Sequence, residues 1–428
     1  MSLNAALHEC VDRYRHANPN SARQFQRAQR VMPGGNTRSV LFYEPFPLTM
    51  SGGAGCFLYD LDGHRYVDFL AEYTAALYGH SHPVITHALT GAMANGMNLS
   101  AHTELEARLA TLLVERFTCI EQVRFTNSGT EANLLALAAA TAFTGRSSII
   151  AFTGGYHGGV LSFSGPPTAM NVPHRVHLAR YNHLHSVERL LHEHRGEIAA
   201  ILVEPMLGAG GCICAEPGFL EGLRAMSDAH DVLLIFDEVM TSRLAPGGLQ
   251  EKTAVTPDLM TLGKYLGGGL PCGMLGGKRE IMAQFDPRKV QLTHAGTFNN
   301  NVLTLAAGIA GLEQAYTREA AIALNARGDQ LREQLNEVLS QVPMQFTGQG
   351  SVMSLHPTAQ PIHCPASIPD DRKAVRDLFF FHLLENGLYS ARRGLFALSL
   401  PLAEPQLRSL VSATQLFVER YGALLPPE

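Results

Sequence analysis

Val232-Leu233-Leu234-Ile235-Phe236-Asp237-Glu238 is a continuous apolar run that ends in two acids. Such a run, set among helical periods, reads as a buried strand that delivers a carboxylate at its end. Downstream, Thr261-Leu262-Gly263 leads into Lys264, and Gly267-Gly268-Gly269 follows. Upstream, Asn127-Ser128-Gly129-Thr130-Glu131-Ala132 opens a long helical stretch. From about residue 100 to 300 the pattern repeats. Strands are predicted over 122–126, 148–153, 199–204, 232–237, 259–261 and 273–276, separated by helical segments. Alternation of this kind implies crossover units, a mostly parallel sheet and an α/β fold.

Outside that region the chain changes character. Residues 1–30 look helical and charged, and Met32-Pro33-Gly34-Gly35-Asn36 breaks the helix. Phe57-Leu58-Tyr59-Asp60 and Arg65-Tyr66-Val67-Asp68, joined through Asp62-Gly63, read as a β-hairpin. Helices resume at 302–341 and close the chain at 404–421. The expected division is a large domain over 71–309 and a smaller α+β domain built from both termini, 1–70 and 310–428.

The chain has 428 residues, 46% of them hydrophobic, enough for a large core. A net charge of -5 gives no support to nucleic-acid or acidic-membrane binding. Seven cysteines, an odd number with no framework spacing, fit a reducing compartment. Cys212-Ile213-Cys214 lacks a second Cys or His pair at metal-binding spacing, so no metal site is expected. Glu9, Asp12, Arg13 and Arg15 interrupt any signal-peptide core. The longest apolar run, Leu134 to Phe143, is Ala-rich and reads as a buried helix rather than a membrane span. A cytoplasmic location is expected.

Ligands of open α/β sheets gather beyond the carboxyl ends of the strands. Glu204, Asp237 and the turn Thr153-Gly154-Gly155-Tyr156-His157-Gly158 fall there. Ser128-Gly129-Thr130, between strand and helix, offers N–H groups and hydroxyls to an anion, although alone it also fits an ordinary helix cap. Asp237 suits an acid that keeps a pyridine nitrogen protonated, or a strand-end carboxylate capping the next helix. Lys264, in an apolar, Gly-rich setting, suits an amine of lowered pKa that forms a Schiff base. Amine, acid and anion cup together point to pyridoxal phosphate. Tyr156 could stack on such a ring with His157 beside it, and Thr297 could add a phosphate hydroxyl. Arg38 and Arg393, one in each half of the small domain, have the fork that grips a substrate carboxylate.

Leu234-Ile235-Phe236-Asp237-Glu238-Val239-Met240-Thr241, Thr261-Leu262-Gly263-Lys264, Asn127-Ser128-Gly129-Thr130-Glu131-Ala132 and Gly79-His80-Ser81-His82-Pro83 jointly resemble the signature of class III (subgroup II) aminotransferases. The resemblance implies a type I pyridoxal-phosphate fold, a homodimer with shared sites and ping-pong transamination. It implies that Lys264 is the Schiff-base lysine and proton shuttle, Asp237 the pyridine-nitrogen partner and Val239 the contact on the ring face. Tyr156 then matches the stacking aromatic, and Ser128, Gly129 and Thr130 the phosphate cup. Thr297 matches the phosphate ligand from the second subunit, and Glu204 a positioning group near the ring.

Two branches compete for the substrate. Met32-Pro33-Gly34-Gly35, Pro217-Gly218-Phe219-Leu220, Thr256-Pro257-Asp258-Leu259 and Gly267-Gly268-Gly269-Leu270-Pro271 resemble glutamate-1-semialdehyde aminomutase. That enzyme's Trp-bearing segment is absent around Ala71-Glu72-Tyr73-Thr74-Ala75, and the chain has no Trp. Arg38-Ser39-Val40-Leu41-Phe42-Tyr43, Glu72-Tyr73-Thr74-Ala75, Met240-Thr241-Ser242-Arg243-Leu244-Ala245-Pro246 and Phe298-Asn299-Asn300-Asn301 are similar instead to β-phenylalanine aminotransferases. In that branch Arg38 and Arg393 match arginines that handle carboxylates. The expected reaction moves an amino group from a β-amino acid to a 2-oxo acid such as 2-oxoglutarate or pyruvate. The aminomutase and a catalytically silent cofactor-binding module are the alternatives.

Overall fold

The computed structural model describes residues 1–164, 169–289 and 292–427. The chain divides into two units, one of 83–325 with 362–366, the other of 1–82, 326–361 and 367–428.

The larger unit is built on a seven-stranded sheet. Its strands in chain order are β1 (Gln122–Thr126), β2 (Ser148–Phe152), β3 (Arg175–Ala179), β4 (Ile198–Val203), β5 (Leu233–Asp237), β6 (Leu259–Gly263) and β7 (Gly273–Gly277). They lie in the order β1-β7-β6-β5-β4-β2-β3. Every pairing is parallel except the two made by β7, which runs against both β1 and β6. The central strands β2, β4 and β5 are buried almost throughout, which explains runs such as Leu234–Phe236. Parallel strands covered on both faces need apolar side chains on both.

The helix Gly129–Thr144 covers one face. Ser128 caps its start by accepting a hydrogen bond from the Glu131 N–H, worth about 1 kcal/mol. Gly145, at φ 67°, closes its end in the left-handed conformation. Its buried face is small: Ala132, Asn133, Ala136, Ala139 and Ala140, with Leu137. Short side chains let the helix lie close to the sheet core of Ile149, Ala151, Leu202, Ile235 and Leu275. Phe143, at the far end of the apolar run, is exposed rather than buried.

The structure adds to the expected elements in two places. The edge strand β3 was not anticipated: Arg-Val-His-Leu-Ala is short, half-exposed and polar, so neither period stands out. The stretch 302–341 is two helices, Val302–Ala310 and Arg318–Leu339, because Gly311–Ala315 widens into a π turn and Tyr316 leaves the helical conformation. Burial of Tyr316, whose hydroxyl donates to the Arg243 carbonyl, draws the chain out of line there.

The smaller unit carries the predicted hairpin. Met50–Ala54, Phe57–Asp60 and Arg65–Asp68 are antiparallel, and Leu388–Tyr389 joins the last in parallel. Gln345–Gln349, Val352–His356 and Leu395–Ala397 form a second antiparallel sheet.

Candidate active site

Asp237 ends β5 and is buried. Its Oδ2 accepts hydrogen bonds from His157 Nδ1 at 2.7 Å and Asn133 Nδ2 at 2.8 Å. Its Oδ1 accepts from the Val239 N–H at 3.0 Å. Each partner arrives on a different element. Asn133 lies in the second turn of the helix after β1, and His157 follows β2. Thr261 pairs in register with Asp237 on β6 and donates its hydroxyl to Asn133 Oδ1 at 2.7 Å. Three donors thus converge on one buried carboxylate.

Lys264 comes directly after β6. Its φ of 55° lies in the left-handed region, which non-glycine residues seldom occupy outside functional sites. The Cys272 thiol donates to its carbonyl at 3.3 Å, and the residue is half-buried. Val239 sits nearby. A Cβ placed on Gly263 would be 3.5 Å from Val239 Cγ1 and 3.6 Å from the Gly129 nitrogen. A Cβ on Gly129 would lie 2.7 and 2.8 Å from the two Val239 methyl carbons, so only glycine fits there. The start of the lysine turn, the apolar Val239 and the helix N-terminus are therefore gathered in one place.

At that N-terminus, the Ser128 hydroxyl accepts from the Glu131 N–H at 3.1 Å and keeps its own proton to donate. Thr130 faces the turn after β2: a Cβ on Gly158 would be 2.2 Å from Thr130 Oγ1, and Gly158 has φ 128°. These residues fit pyridoxal phosphate. Helix N–H groups and two hydroxyls match its phosphate, a buried carboxylate its basic nitrogen, Val239 its flat face and Lys264 its aldehyde.

Glu204 follows β4 and is buried. Its Oε1 accepts from the Tyr156 N–H and its Oε2 from the Gly208 N–H, both at 2.9 Å. Burial pushes its carboxyl up to about 7, with the negative Asp237 adding to the rise, while His157 and the two N–H groups oppose it. Through this contact Glu204 fixes the turn that bears Tyr156, whose own side chain is 46% exposed. Glu238, next to Asp237, is buried too. It accepts from the Leu249 and Gln250 N–H groups at 2.7 Å and from the Thr241 hydroxyl at 2.9 Å. Burial again raises its carboxyl to about 7 against those donors.

Not every predicted residue joins this cluster. Thr297 is exposed, and among the described residues its hydroxyl makes no hydrogen bond to Ser128 or Thr130. Its segment reaches the mouth of the cup through Asn299, whose Oδ1 accepts from Asn127 Nδ2 at 2.9 Å. Arg38 and Arg393 belong to the smaller unit. There they share one aromatic ring, their guanidinium carbons 5.6 and 5.2 Å from the centre of Tyr73, and Arg38 also pairs with Glu72. Ala71, Glu72, Tyr73 and Thr74 all have positive φ, a strained turn anchored by Asp68 Oδ1, which accepts from the Leu70 and Ala71 N–H groups. Sequence reasoning missed Asn133, Thr261 and Tyr73. Asn133 lies five residues past the cap, just beyond the motif 127–132, and Thr261 lies three before Lys264, inside one; their pairing across 128 positions had no local signal.

The chain matches the family model described as Aminotransferase class-III over residues 42–394. It is 51% identical to the beta-phenylalanine transaminase of Variovorax paradoxus, over 99% of this chain and 98% of that protein. A solved beta-phenylalanine aminotransferase from the same organism superposes with a TM-score of 0.98, covering 99% of both chains. The glutamate-1-semialdehyde 2,1-aminomutase of Methanothermobacter thermautotrophicus is 39% identical, over 85% of this chain and 90% of its own.

Proposed function

Because the chain belongs to the class-III aminotransferases, a pyridoxal-phosphate-dependent family, we propose that it moves the amino group of a β-amino acid such as β-phenylalanine to a 2-oxo acid. The donor becomes a β-keto acid, and 2-oxoglutarate or pyruvate becomes the matching amino acid. The observation that carries the substrate class is 51% identity along nearly the whole chain to a beta-phenylalanine transaminase, against 39% to an aminomutase.

Pyridoxal phosphate, when bound, supplies a protonated ring that accepts the electron pair left at the amine-bearing carbon. The protein's residues do the rest. Ser128, Gly129 and Thr130 hold the phosphate at the positive end of a helix. Asp237, braced by His157, holds the ring nitrogen's proton. Val239 covers one face of the ring and Tyr156 the other, with Glu204 fixing the Tyr156 turn. Lys264 Nζ binds the aldehyde in the resting enzyme. Once freed, the same amine would be the group that takes the proton from the substrate carbon and carries it toward C4′. Arg38 and Arg393 grip the substrate carboxylate. Thr297 serves the phosphate of a second copy, which makes the working form a homodimer. Its exposed position supports that role. We place the enzyme in the cytoplasm, a reading supported by seven cysteines with no disulfide-framework spacing.

Purified holoenzyme, β-phenylalanine and 2-oxoglutarate are expected to yield glutamate. No activity on any β-amino acid with either acceptor would reject the assignment. Turnover of glutamate-1-semialdehyde without an added acceptor would favour the aminomutase instead. Sedimentation at a monomer mass would remove the role given to Thr297.

A further inference from the structure

Asn133 is fully buried and has no freedom in its hydrogen bonding. Its oxygen accepts from the Thr261 hydroxyl at 2.7 Å. Its nitrogen donates to Asp237 Oδ2 at 2.8 Å and to the His157 carbonyl at 3.1 Å. Both amide protons and the oxygen are thus in use. Rotating the amide would set its oxygen against a carboxylate and a carbonyl, both acceptors, so Asp237 and His157 fix which way the group faces, and the Thr261 hydroxyl braces the oxygen left over.

The consequence falls on Asp237. A carboxylate oxygen has two lone pairs. Oδ2 already receives two donors, Asn133 and His157, and is filled. Among the described residues, Oδ1 receives the Val239 N–H alone and keeps one lone pair. We propose that Asn133 is a positioning residue which, braced by Thr261, fills Asp237 Oδ2 and leaves Oδ1 as the oxygen able to take the ring N–H of the cofactor. The inference rests on the reading of Asp237 as the ring-nitrogen partner. Without the Asn133 donor, Oδ2 would compete with Oδ1 for the ring N–H and loosen the hydrogen bond that keeps the ring nitrogen protonated.

The test uses pyridoxal phosphate labelled with 15N in the ring, whose nitrogen shift reports protonation, together with the dissociation constant of the cofactor from the apoprotein. Asn133→Leu is expected to move the shift toward that of an unprotonated ring and to weaken cofactor binding roughly tenfold, the size expected from one lost charge-assisted donor. Thr261→Val, which trades hydroxyl for methyl, is expected to move both in the same direction by less. Thr261→Ser, which restores the donor, is expected to return the wild-type shift. Asp237→Asn separates the two claims. If it moves the shift while Asn133→Leu and Thr261→Val leave it in place, Asn133 has no such role and the Asp237 reading stands. If Asp237→Asn itself leaves the shift in place, that reading falls and the inference with it. Should Asn133→Leu fail to fold, the Thr261→Val and Thr261→Ser pair decides alone.

Discussion

At the scale of single residues, the site depends on Lys264 being held in a backbone conformation it would not choose. A left-handed φ costs a lysine roughly 1–2 kcal/mol, and the strand before it and the glycines after it keep it there. The reading makes Lys264 both anchor and proton carrier, so its loss removes two functions. Lys264→Ala is expected to lower kcat by at least ~10²–10⁴-fold, the usual worth of a positioned acid-base group. Borohydride treatment of the wild-type holoenzyme, followed by peptide mapping, is expected to label Lys264; a label on another lysine would end the account. Lys264 and Asp237 were legible in the sequence because each sits at the end of an apolar run, where strand topology alone puts ligands. Asn133 was not. An asparagine inside a helical stretch carries no sign of the strand it will face, and its two partners are 104 and 128 positions away.

At the scale of elements, the cup depends on how closely three turns approach. Gly129 opens the helix against Val239, and Gly158 lets the turn after β2 pass over Thr130. Gly129→Ala drives a methyl group into Val239 and must shift either the helix start or the residue that covers the ring. Overpacking of this kind costs about 1–3 kcal/mol. The expected result is a lower thermal midpoint and weaker cofactor binding. Gly158→Ala adds backbone strain at φ 128° to a contact of 2.2 Å with Thr130 Oγ1, so a larger loss is expected. Differential scanning calorimetry of both apoproteins checks the order; equal stability to wild type would mean that the turns yield freely. Elements with strong periodicity were readable: β1 matches its expected limits at 122–126, and the closing helix Glu404–Tyr421 matches 404–421. The edge strand β3 was not, because it needs only one buried face and its polar residues conceal that face. The break at Tyr316 comes from a tertiary contact that no local pattern announces.

At the scale of the whole molecule, the sheet stores charge where water cannot reach. Glu204 and Glu238 lie at the carboxyl ends of adjacent strands β4 and β5, each with its carboxyl raised by burial to about 7. An unfolded glutamate titrates near 4.5. Below that value both states carry the proton and the group does not bias folding. Between about 4.5 and 7 the unfolded chain loses its proton while the folded one keeps it, so stability falls as pH rises. The loss approaches 1.4 kcal/mol per pH unit for each group in mid-window and levels off above the folded value, a total of roughly 3 kcal/mol. The half-buried His177 and the buried His382 work the other way, since desolvation lowers them and folding then favours higher pH below about 6.5. The slope of wild type alone therefore mixes the two. A difference measurement isolates the glutamate. In Glu238→Gln the amide brings a constant cost at the Leu249 and Gln250 N–H groups, but it does not titrate. Urea unfolding of the two apoproteins at pH 5, 6, 7 and 8 is expected to show the stability advantage of wild type shrinking from pH 5 to 7 and then holding steady. An advantage that grows with pH would mean that the N–H groups holding Glu238 outweigh its burial, and that this carboxylate is ionised throughout the working range of the enzyme.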